Sequence, residues 1–252
     1  MPLLDANEIT KRFSGIVAVN DLSLSVANGE AVGLIGPNGA GKTTFFNCLL
    51  GIERCDSGTV TLDGQEITRL ATYRRARLGL GRTFQRMELF AGMTVRDHLL
   101  VAERSRLGTG RLWKDVLNRS GSSAEERSRA DRTLELLGLG DVSESSVEAL
   151  SLGRGRLVEV GRALMTEPKL LLLDEPSSGL DSGETNALAE TLRDVQAARG
   201  TAVLLVEHDV DFVRSFASRC YVLDFGSLIA EGPTATVLAE DAVRKAYLGE
   251  TV

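Results

Sequence analysis

The stretch Gly36-Pro37-Asn38-Gly39-Ala40-Gly41-Lys42-Thr43 fits the pattern G-x-x-x-x-G-K-[ST]. It follows a dense apolar run from Glu30 to Ile35, which predicts a buried strand, and it precedes a helical pattern from Thr43 to Leu50 that Gly51 closes. Glycines allow the backbone N–H groups of such a loop to turn inward around phosphate oxygens, and the helix N-terminus adds partial positive charge. The stretch therefore predicts a phosphate-binding loop. Its predicted nucleotide-contacting residues are Gly36, Pro37, Asn38, Gly39, Ala40, Gly41, Lys42, Thr43 and Thr44.

Two side chains at the end of this loop are suited to a nucleotide bound with magnesium. Lys42 is placed to reach the β- and γ-phosphates, and the Thr43 hydroxyl is placed to ligate Mg²⁺. The alternative is a tight glycine turn followed by a surface lysine. The strand–loop–helix context favours the nucleotide site over that alternative.

A second buried strand is expected to end in two acids. Leu170 to Leu173 is an unbroken run of leucines, and Asp174 and Glu175 follow it directly. Carboxylates at the carboxyl end of such a strand point into the crevice where open α/β sheets bind ligands. We expect Asp174 to hold Mg²⁺ directly or through water, and Glu175 to orient and deprotonate the attacking water. A helix cap after a core strand is the alternative, but together with the glycine loop these acids predict a nucleoside triphosphatase.

The rest of the pattern predicts an α/β fold in a single domain, residues 1–252. In the C-terminal third, strand and helix patterns alternate, which is typical of parallel βαβ units, and the alternation from Leu22 to Val26 predicts antiparallel strands. In the middle of the chain, apolar residues recur at helical spacing and strand-like runs are absent. We expect a P-loop NTPase (RecA-like) core of mixed or parallel sheet, residues 1–86 and 154–252, with an antiparallel β subdomain and an inserted α-helical subdomain, residues 87–153.

The composition indicates an ordinary globular chain. Of 252 residues, 43% are hydrophobic and 25% are charged, which argues against disorder. The net charge of −6 disfavours a sequence-independent nucleic-acid binder, because such a protein needs a basic surface. No apolar run approaches the roughly 20 residues of a membrane span, and the N-terminus has no signal-peptide pattern. With 3 cysteines that form no CxxC pair and 2 histidines, we expect a soluble chain in a reducing cytosol, with little room for a histidine-based metal site.

A third segment, Leu150-Ser151-Leu152-Gly153-Arg154, lies between the glycine loop and the paired acids and opens a helical pattern. The sequence has no N-K-x-D guanine-binding pattern, and nothing in it indicates the lid or acceptor site of a small-molecule kinase. With this third segment the sequence resembles the ATP-binding subunits of ABC transporters, whose signature usually reads LSGGQ. The resemblance covers nearly the whole chain, and it implies an ATPase with ATP and Mg²⁺ as its ligands.

The resemblance assigns roles to four further residues. Phe13 matches the aromatic residue that stacks on adenine, and Gln85 matches the Q-loop glutamine. Asp181 matches the D-loop aspartate, and His208 matches the switch histidine. Taken singly, Phe13 could be a core aromatic, Gln85 a surface amide and His208 a core histidine, but their order and spacing favour the site. His98 has no such support, and we expect it on the surface. The implied catalytic residues are Lys42, Gln85, Glu175 and His208, and the implied magnesium ligands are Thr43, Gln85 and Asp174.

The signature segment implies a dimer. Ser151 supplies a hydroxyl and Gly153 an N–H group at a helix N-terminus, which suits a γ-phosphate. In this family that phosphate belongs to a second subunit, so two chains enclose two ATP molecules head to tail, as a homodimer or a heterodimer. The sequence departs from the usual signature at Leu152, Arg154 and Gly155. Because Ser151 and Gly153 are kept, we expect function, while Arg154 in place of glutamine leaves the strength of that half-site open.

Local features resemble the ATP-binding subunits of the branched-chain amino acid uptake family. They are the segment from Gly81 to Ala102, the insertion at about Arg104 to Arg129, and the ending from Ala246 to Glu250. The resemblance implies that the chain powers uptake of branched-chain or other hydrophobic amino acids from the cytoplasmic face of the inner membrane. It implies as partners a second ABC ATPase subunit, two transmembrane permease subunits and an extracytoplasmic solute-binding protein, and no nucleic acid. Uptake of urea or amides, and an ABC ATPase that is not an importer (in lipid export, or as a soluble ribosome or DNA-repair factor), remain alternatives.

Two surface segments carry further hypotheses. Six arginines from Arg69 to Arg86 occur without an acidic residue among them, either as a solvated helix face or as a contact with an anionic partner such as lipid headgroups. The segment from Met87 to Thr94 carries apolar residues, Phe90 among them, in a loop-like context. Exposed apolar patches of this kind mark docking surfaces, and we expect a short helix of a membrane subunit to bind here. A plain subdomain core is the alternative.

Overall fold

The computed structural model describes residues 1–83, 89–107 and 123–248, which form two β-sheets with helices packed against them. Within these ranges, no helix combines the length and apolar character that a membrane span requires. The strands are β1 (Leu4–Phe13), β2 (Ile16–Val26), β3 (Ala31–Ile35), β4 (Ser57–Leu62), β5 (Gln65–Glu66), β6 (Leu80–Arg82), β7 (Leu170–Asp174), β8 (Ala202–Glu207), β9 (Arg219–Asp224) and β10 (Ser227–Pro233). The helices are α1 (Lys42–Leu50), α2 (Thr72–Arg77), α3 (Val95–Leu107), α4 (Ala124–Leu136), α5 (Leu152–Leu164), α6 (Ser182–Arg199), α7 (Val210–Phe216), α8 (Thr234–Val237) and α9 (Asp241–Leu248), with short 3-10 turns at Gly140–Val142 and Val147–Ala149.

The larger sheet has six strands in the order β10-β9-β3-β8-β7-β6. Adjacent strands in this order from β9 to β6 pair in parallel, and β10 pairs antiparallel with β9 at one edge of the sheet. Strands β3, β7 and β8 are buried at every residue because packed elements cover both faces of the sheet, and this is why their sequences read as continuous apolar runs. Because β3, β8 and β7 are parallel neighbours, their carboxyl ends lie at the same edge of the sheet.

The two faces of this sheet belong to two separate hydrophobic cores. Leu170 and Leu172 of β7 pack into one core, and Leu171 and Leu173 pack into the other, as the alternation of side chains along a strand requires. The first core contains helix α1, which lies between the six-stranded sheet and the smaller sheet. The second core contains α3, α4, α5, α6 and α7. The glycine loop thus begins a helix that is held on both sides.

The smaller sheet is antiparallel, with the strand order β2-β1-β4-β5. Strands β1 and β2 form a hairpin that pairs from Leu4 opposite Val26 to Phe13 opposite Ile16. The backbone N–H of Asn20 in this hairpin donates to the carbonyl of Gly226, in the turn between β9 and β10, at 2.8 Å. The hairpin therefore joins the two sheets.

The described part of the middle region is helical. A Cβ on Gly161 of α5 would lie 2.9 Å from Leu137 and 3.3 Å from Leu99, so the helices α3 and α5 and the end of α4 approach one another closely there. Between residues 89 and 150, the described residues contain one isolated β-bridge, between Thr94 and Ser146, and no strand. The predicted α/β fold with an inserted helical segment is confirmed. The boundaries at 87 and 153 stay a prediction.

The expectation that His98 lies on the surface is wrong. Its side chain is buried in α3 with 1% of the residue exposed. Its Nε2 accepts the N–H of Phe90 at 2.9 Å, so Nδ1 carries the proton and donates to the carbonyl of Thr94 at 2.8 Å. Burial lowers the pKa of His98 and favours the neutral ring that this bonding requires. His98 thus holds the segment before α3 against the helix.

One arginine of the basic segment fits neither alternative, a solvated helix face or a contact with an anionic partner. Arg75 in α2 is 2% exposed, and its guanidinium donates to main-chain carbonyls, including those of Cys48 and Leu49 at 2.8 and 2.6 Å. The neighbouring arginines of α2 are exposed, and Arg74 and Arg77 lie against the ring of Tyr73. Arg75 is therefore structural.

Candidate nucleotide site

The glycine loop joins the carboxyl end of β3 to the first turn of α1, and its lysine is folded into the loop. Lys42 is 5% exposed, and its Nζ donates to the carbonyls of Gly36 at 2.6 Å and Pro37 at 3.0 Å. Burial lowers the pKa of the Lys42 ammonium group. Carboxylates at the ends of neighbouring strands oppose that shift, so the ammonium lies in a negative field. These carboxylates are Glu175, Asp174 and Glu207.

Two glycines of the loop permit an approach to neighbouring backbone that a side chain would block. A Cβ on Gly41, where φ is 96°, would lie 2.2 Å from the carbonyl oxygen of Ala18 in β2. A Cβ on Gly36 would lie 2.2 Å from the carbonyl oxygen of Leu223 in β9. The loop is therefore held between the two sheets. Its outer positions Asn38, Gly39 and Thr43 are exposed to a ligand.

Asp174 ends β7 as a buried carboxylate that lacks a full set of partners. It is 8% exposed, and its Oδ1 has no hydrogen-bond partner among the described residues. Burial raises the pKa of Asp174, and the charge of Glu175 raises it further, while Arg82 acts in the opposite direction. A divalent cation would supply the missing positive charge, and Mg²⁺ prefers oxygen ligands of this kind. Asp174, with the exposed Thr43 hydroxyl at the start of α1, thus fits a magnesium ion.

Glu175 and His208 lie side by side at the ends of adjacent strands. Glu175 follows β7 with φ at 46°, and its N–H donates to the carbonyl of Val206 in β8 at 2.9 Å. This hydrogen bond holds the backbone of Glu175 against β8. The Nδ1 of His208 is 3.9 Å from the Oε1 of Glu175, and the histidine is half-exposed. The structure therefore brings the predicted base and the predicted switch histidine together.

A further carboxylate beside His208, that of Glu207, is 3.8 Å from the histidine Nδ1 and was not singled out from the sequence. It ends β8 and is 0% exposed. Its Oε1 accepts the N–H and the hydroxyl of Ser177, and its Oε2 accepts the N–H groups of His208 and Asp209. A sequence signal for Glu207 exists: like Asp174, it is an acid at the carboxyl end of an apolar run.

The signature residues stand at the start of α5. Ser151 is the N-cap, and its Oγ accepts the N–H of Arg154 at 3.4 Å. The N–H of Gly153 donates to the Oε1 of Glu184 in α6 at 3.2 Å. Arg154, which replaces the usual glutamine, forms an ion pair with Asp141 at 2.9 Å. The Gly153 N–H, which the resemblance assigns to a phosphate bound by the partner, therefore donates to a carboxylate of its own chain.

Of the three remaining predicted site residues, two lie within the described chain and one lies outside it. Phe13 ends β1 with 42% of the residue exposed, and the ammonium of Lys11 lies 4.8 Å from its ring centroid, so Phe13 is not a core aromatic. Asp181 is the N-cap of α6, and its Oδ1 accepts the N–H of Glu184 at 2.8 Å. Gln85 lies outside the described residues. The described chain before it ends at Thr83, whose N–H donates to the carbonyl of Leu172 at 3.0 Å.

A phosphate-binding loop and acidic strand ends at one edge of a parallel sheet are the arrangement of the P-loop nucleoside triphosphatases. Comparison with known proteins narrows this class. Residues 19–178 match the family described as ABC transporter, and residues 227–252 match the family described as branched-chain amino acid ATP-binding cassette transporter. The chain belongs to the ATP-binding proteins of ABC transporters and is an ATPase.

Individual relatives agree over their full length. The chain is 40% identical to the high-affinity branched-chain amino acid transport ATP-binding protein LivG of Salmonella typhimurium, over 99% of this chain and 98% of the relative. It is 39% identical to the corresponding protein BraF of Pseudomonas aeruginosa, with the same coverage. Among solved structures, an ATP-binding cassette of an ABC transporter in its ADP conformation matches with a TM-score of 0.86 and 32% identity, covering 99% of this chain and 100% of that one. A nucleotide-free cassette matches with a TM-score of 0.85 and 31% identity, with the same coverage.

Proposed function

We propose that this chain powers the uptake of branched-chain or other hydrophobic amino acids by an ABC importer, with Mg²⁺ as the cofactor of ATP hydrolysis. The observation that carries this proposal is the 40% identity over 99% of the chain with LivG of Salmonella typhimurium, a branched-chain amino acid transport ATP-binding protein. The match of residues 227–252 to a branched-chain amino acid family supports it. The proposed partners are a second ABC ATPase subunit, two transmembrane permease subunits and an extracytoplasmic solute-binding protein. The proposed location is the cytoplasmic face of the inner membrane.

In the proposed mechanism the triphosphate binds on the glycine loop of its own subunit. Lys42 binds the β- and γ-phosphates, since its ammonium lies within the loop that surrounds them. Thr43, Gln85 and Asp174 would hold Mg²⁺, which neutralises charge on the phosphates. Glu175 accepts a proton from the attacking water. His208, which lies beside Glu175, donates a hydrogen bond to the phosphate that is released.

The second half of each site comes from the partner subunit in this proposal. Ser151 and Gly153 present a hydroxyl and an N–H group at the start of α5, where a helix N-terminus favours an anion. Glu184 accepts from that N–H in the described chain, so the γ-phosphate of the partner has to replace the Glu184 carboxylate. ATP binding closes the dimer and hydrolysis reopens it, which is a population shift between two states with different nucleotide affinity.

We further propose that a cleft of about 280 Å³ receives a short helix of a membrane subunit. The cleft lies between α2, β6, α3 and α5, and its walls include Thr83, Val101 and Ala102. Phe90 supports this proposal, because it is 54% exposed and its ring centroid lies 5.7 Å from the guanidinium of Arg162, which lines the cleft. Thr83 is two residues before Gln85 in the sequence, so a helix in this cleft would contact the chain close in sequence to a proposed magnesium ligand.

A second candidate, lipid export, has an observation in its favour. The chain is 34% identical over 99% of its length to the lipopolysaccharide export system ATP-binding protein LptB of Haemophilus influenzae. The match of residues 227–252 to the branched-chain amino acid family favours the importer over lipid export. Urea or amide uptake also stays open, because no residue of an ATP-binding subunit touches the solute.

The test is uptake of labelled leucine and labelled urea, at limiting external concentration, by cells with and without the gene for this chain. Cells that carry the Lys42→Ala variant are the matched control, since the folded chain is present without productive ATP binding. We expect the parental gene, but not the variant, to restore leucine uptake. Unchanged leucine uptake with lost urea uptake would overturn the amino acid assignment and leave the ATPase intact.

A further inference from the structure

Glu207 is a fully buried carboxylate whose two oxygens serve two different loops. Its Oε1 accepts the backbone N–H of Ser177 at 2.9 Å and the Ser177 hydroxyl at 2.6 Å. Its Oε2 accepts the N–H groups of His208 at 3.1 Å and Asp209 at 3.3 Å. No part of the residue is exposed to solvent. Four donors from two loops therefore converge on one side chain.

Each of these loops carries a residue proposed for hydrolysis. The loop after β7 contains Glu175 two residues before Ser177, and it continues to Asp181 at the start of α6. The loop after β8 contains His208, whose Nδ1 is 3.8 Å from the Oε2 of Glu207 and 3.9 Å from the Oε1 of Glu175. The Glu207 carboxylate thus fixes the separation between the loop of the base and the loop of the histidine.

The cost of burying this charge indicates that the bonds are specific. A buried carboxylate is stable only when hydrogen bonds satisfy it, and apolar side chains of similar volume commonly stabilise such positions better. The rest of β8 is apolar and buried, so an apolar residue would fit the strand pattern. Glu207 also adds its charge to the field at Lys42 and Asp174. The hydrogen bonds of Glu207 therefore hold the loops at the edge of the sheet where the nucleotide is proposed to bind.

We propose that Glu207 is a positioning residue for ATP hydrolysis, which ties the loop of Glu175 to His208 by accepting hydrogen bonds from Ser177 on one side and from His208 and Asp209 on the other. This inference rests on the roles proposed above for Glu175 and His208. Glu207 itself does not have to touch the nucleotide.

The test replaces Glu207 by glutamine, with Glu103→Gln as the matched control. Both glutamates are 0% exposed, but Glu103 lies in α3, where it pairs with Arg106 and Arg129. Glutamine keeps the size of glutamate but turns one oxygen into a donor, so one of the two loops loses its acceptor. We expect E207Q to lower kcat of the full-length chain at least about tenfold with KM for ATP unchanged, while E103Q keeps the parental kcat.

A second variant, Ser177→Ala, removes one donor and leaves the carboxylate in place, so it covers the case in which E207Q folds poorly. We expect S177A to lower kcat in the same direction by a smaller factor, again without a change in KM. A kcat of E207Q no lower than that of E103Q, a parental kcat for S177A, or a raised KM with kcat unchanged would each overturn the proposal. Glu175→Gln in the same assay separates the role of Glu175 from the role of Glu207. The ATP turnover of Glu175→Gln tests Glu175 as the base, and the difference in kcat between E207Q and E103Q tests Glu207 as the positioning residue.

Discussion

Asp174 occupies a position where the demands of stability and of function oppose each other. Burial and the nearby charge of Glu175 raise its pKa, so the carboxylate form is unfavourable in the folded chain without nucleotide. Because the folded pKa is raised, the stability from the neutral acid is present at low pH and is lost as the pH rises through that pKa. Ionisation of Asp174 therefore lowers the stability of the folded chain without nucleotide.

We predict that Asp174→Asn raises the melting temperature of the nucleotide-free chain at neutral pH and abolishes hydrolysis of magnesium-ATP. Removing the charge removes its desolvation cost, and each 1 kcal/mol is worth roughly 2–4 °C for a chain of this size. Thermal unfolding at several pH values checks this, and the difference from the parent should grow as the pH rises and then level off. The exposed Glu240→Gln is the control and should leave the melting temperature unchanged. A variant less stable than the parent at neutral pH would contradict the account.

At the scale of elements, helix α2 is attached to α1 through one guanidinium group. Arg75 donates to the carbonyls of Cys48 and Leu49 at the end of α1, and to those of Leu70 and Thr68 before α2, at 2.6 to 2.9 Å. The carbonyls of Cys48 and Leu49 belong to the negative C-terminal end of α1, so a cation is favourable there. Helix α1 carries the glycine loop at its other end, so this attachment supports the nucleotide site indirectly.

We predict that Arg75→Ala lowers the free energy of unfolding by about 2–3 kcal/mol, because it removes charge-assisted hydrogen bonds and leaves buried carbonyls unpaired. Urea unfolding measures the change. Arg77→Ala, two residues later on the exposed face of α2, is the control and should stay within about 0.5 kcal/mol of the parent. Equal losses for the two variants would contradict the structural role of Arg75.

The sequence predicted those elements whose signals are local. The glycine loop and the strand ending at Asp174 follow from adjacent residues, and the fold around them follows from strand and helix periods. The contacts of Glu207 with Ser177 and of Gly153 with Glu184 join residues 30 and 31 positions apart, so no local pattern reveals them. His98 was misplaced for the same reason, because its burial depends on how α3 packs.

At the scale of the whole molecule, the docking surface proposed for the membrane subunits is separate from the nucleotide site. Phe90 lies outside the nucleotide site, with the guanidinium of Arg162 5.7 Å from its ring centroid. We predict that Phe90→Glu abolishes co-purification with the membrane subunits and amino acid uptake but keeps the ATPase activity of the isolated chain. A charge on an apolar docking surface disrupts the contact without affecting the core.

Ile52→Glu is the control for this variant, because Ile52 is also apolar and similarly exposed, at 49% against 54% for Phe90, but follows α1 and lies outside the segment from Met87 to Thr94. It should leave both assembly and ATPase activity unchanged. Equal loss of uptake and ATPase activity in Phe90→Glu would indicate a folding defect and would contradict a docking role.

We propose that two of these chains, or this chain and a similar partner, enclose ATP and hydrolyse it with Glu175 as the base. The most direct measurement is ATP turnover and size-exclusion chromatography of Glu175→Gln with ATP and Mg²⁺, beside Lys42→Ala as the variant that cannot bind productively. We expect Glu175→Gln to bind ATP, lose hydrolysis and elute as an ATP-bound dimer, and we expect Lys42→Ala neither to bind ATP productively nor to elute as a dimer. Turnover by Glu175→Gln near the parental rate would contradict the proposal.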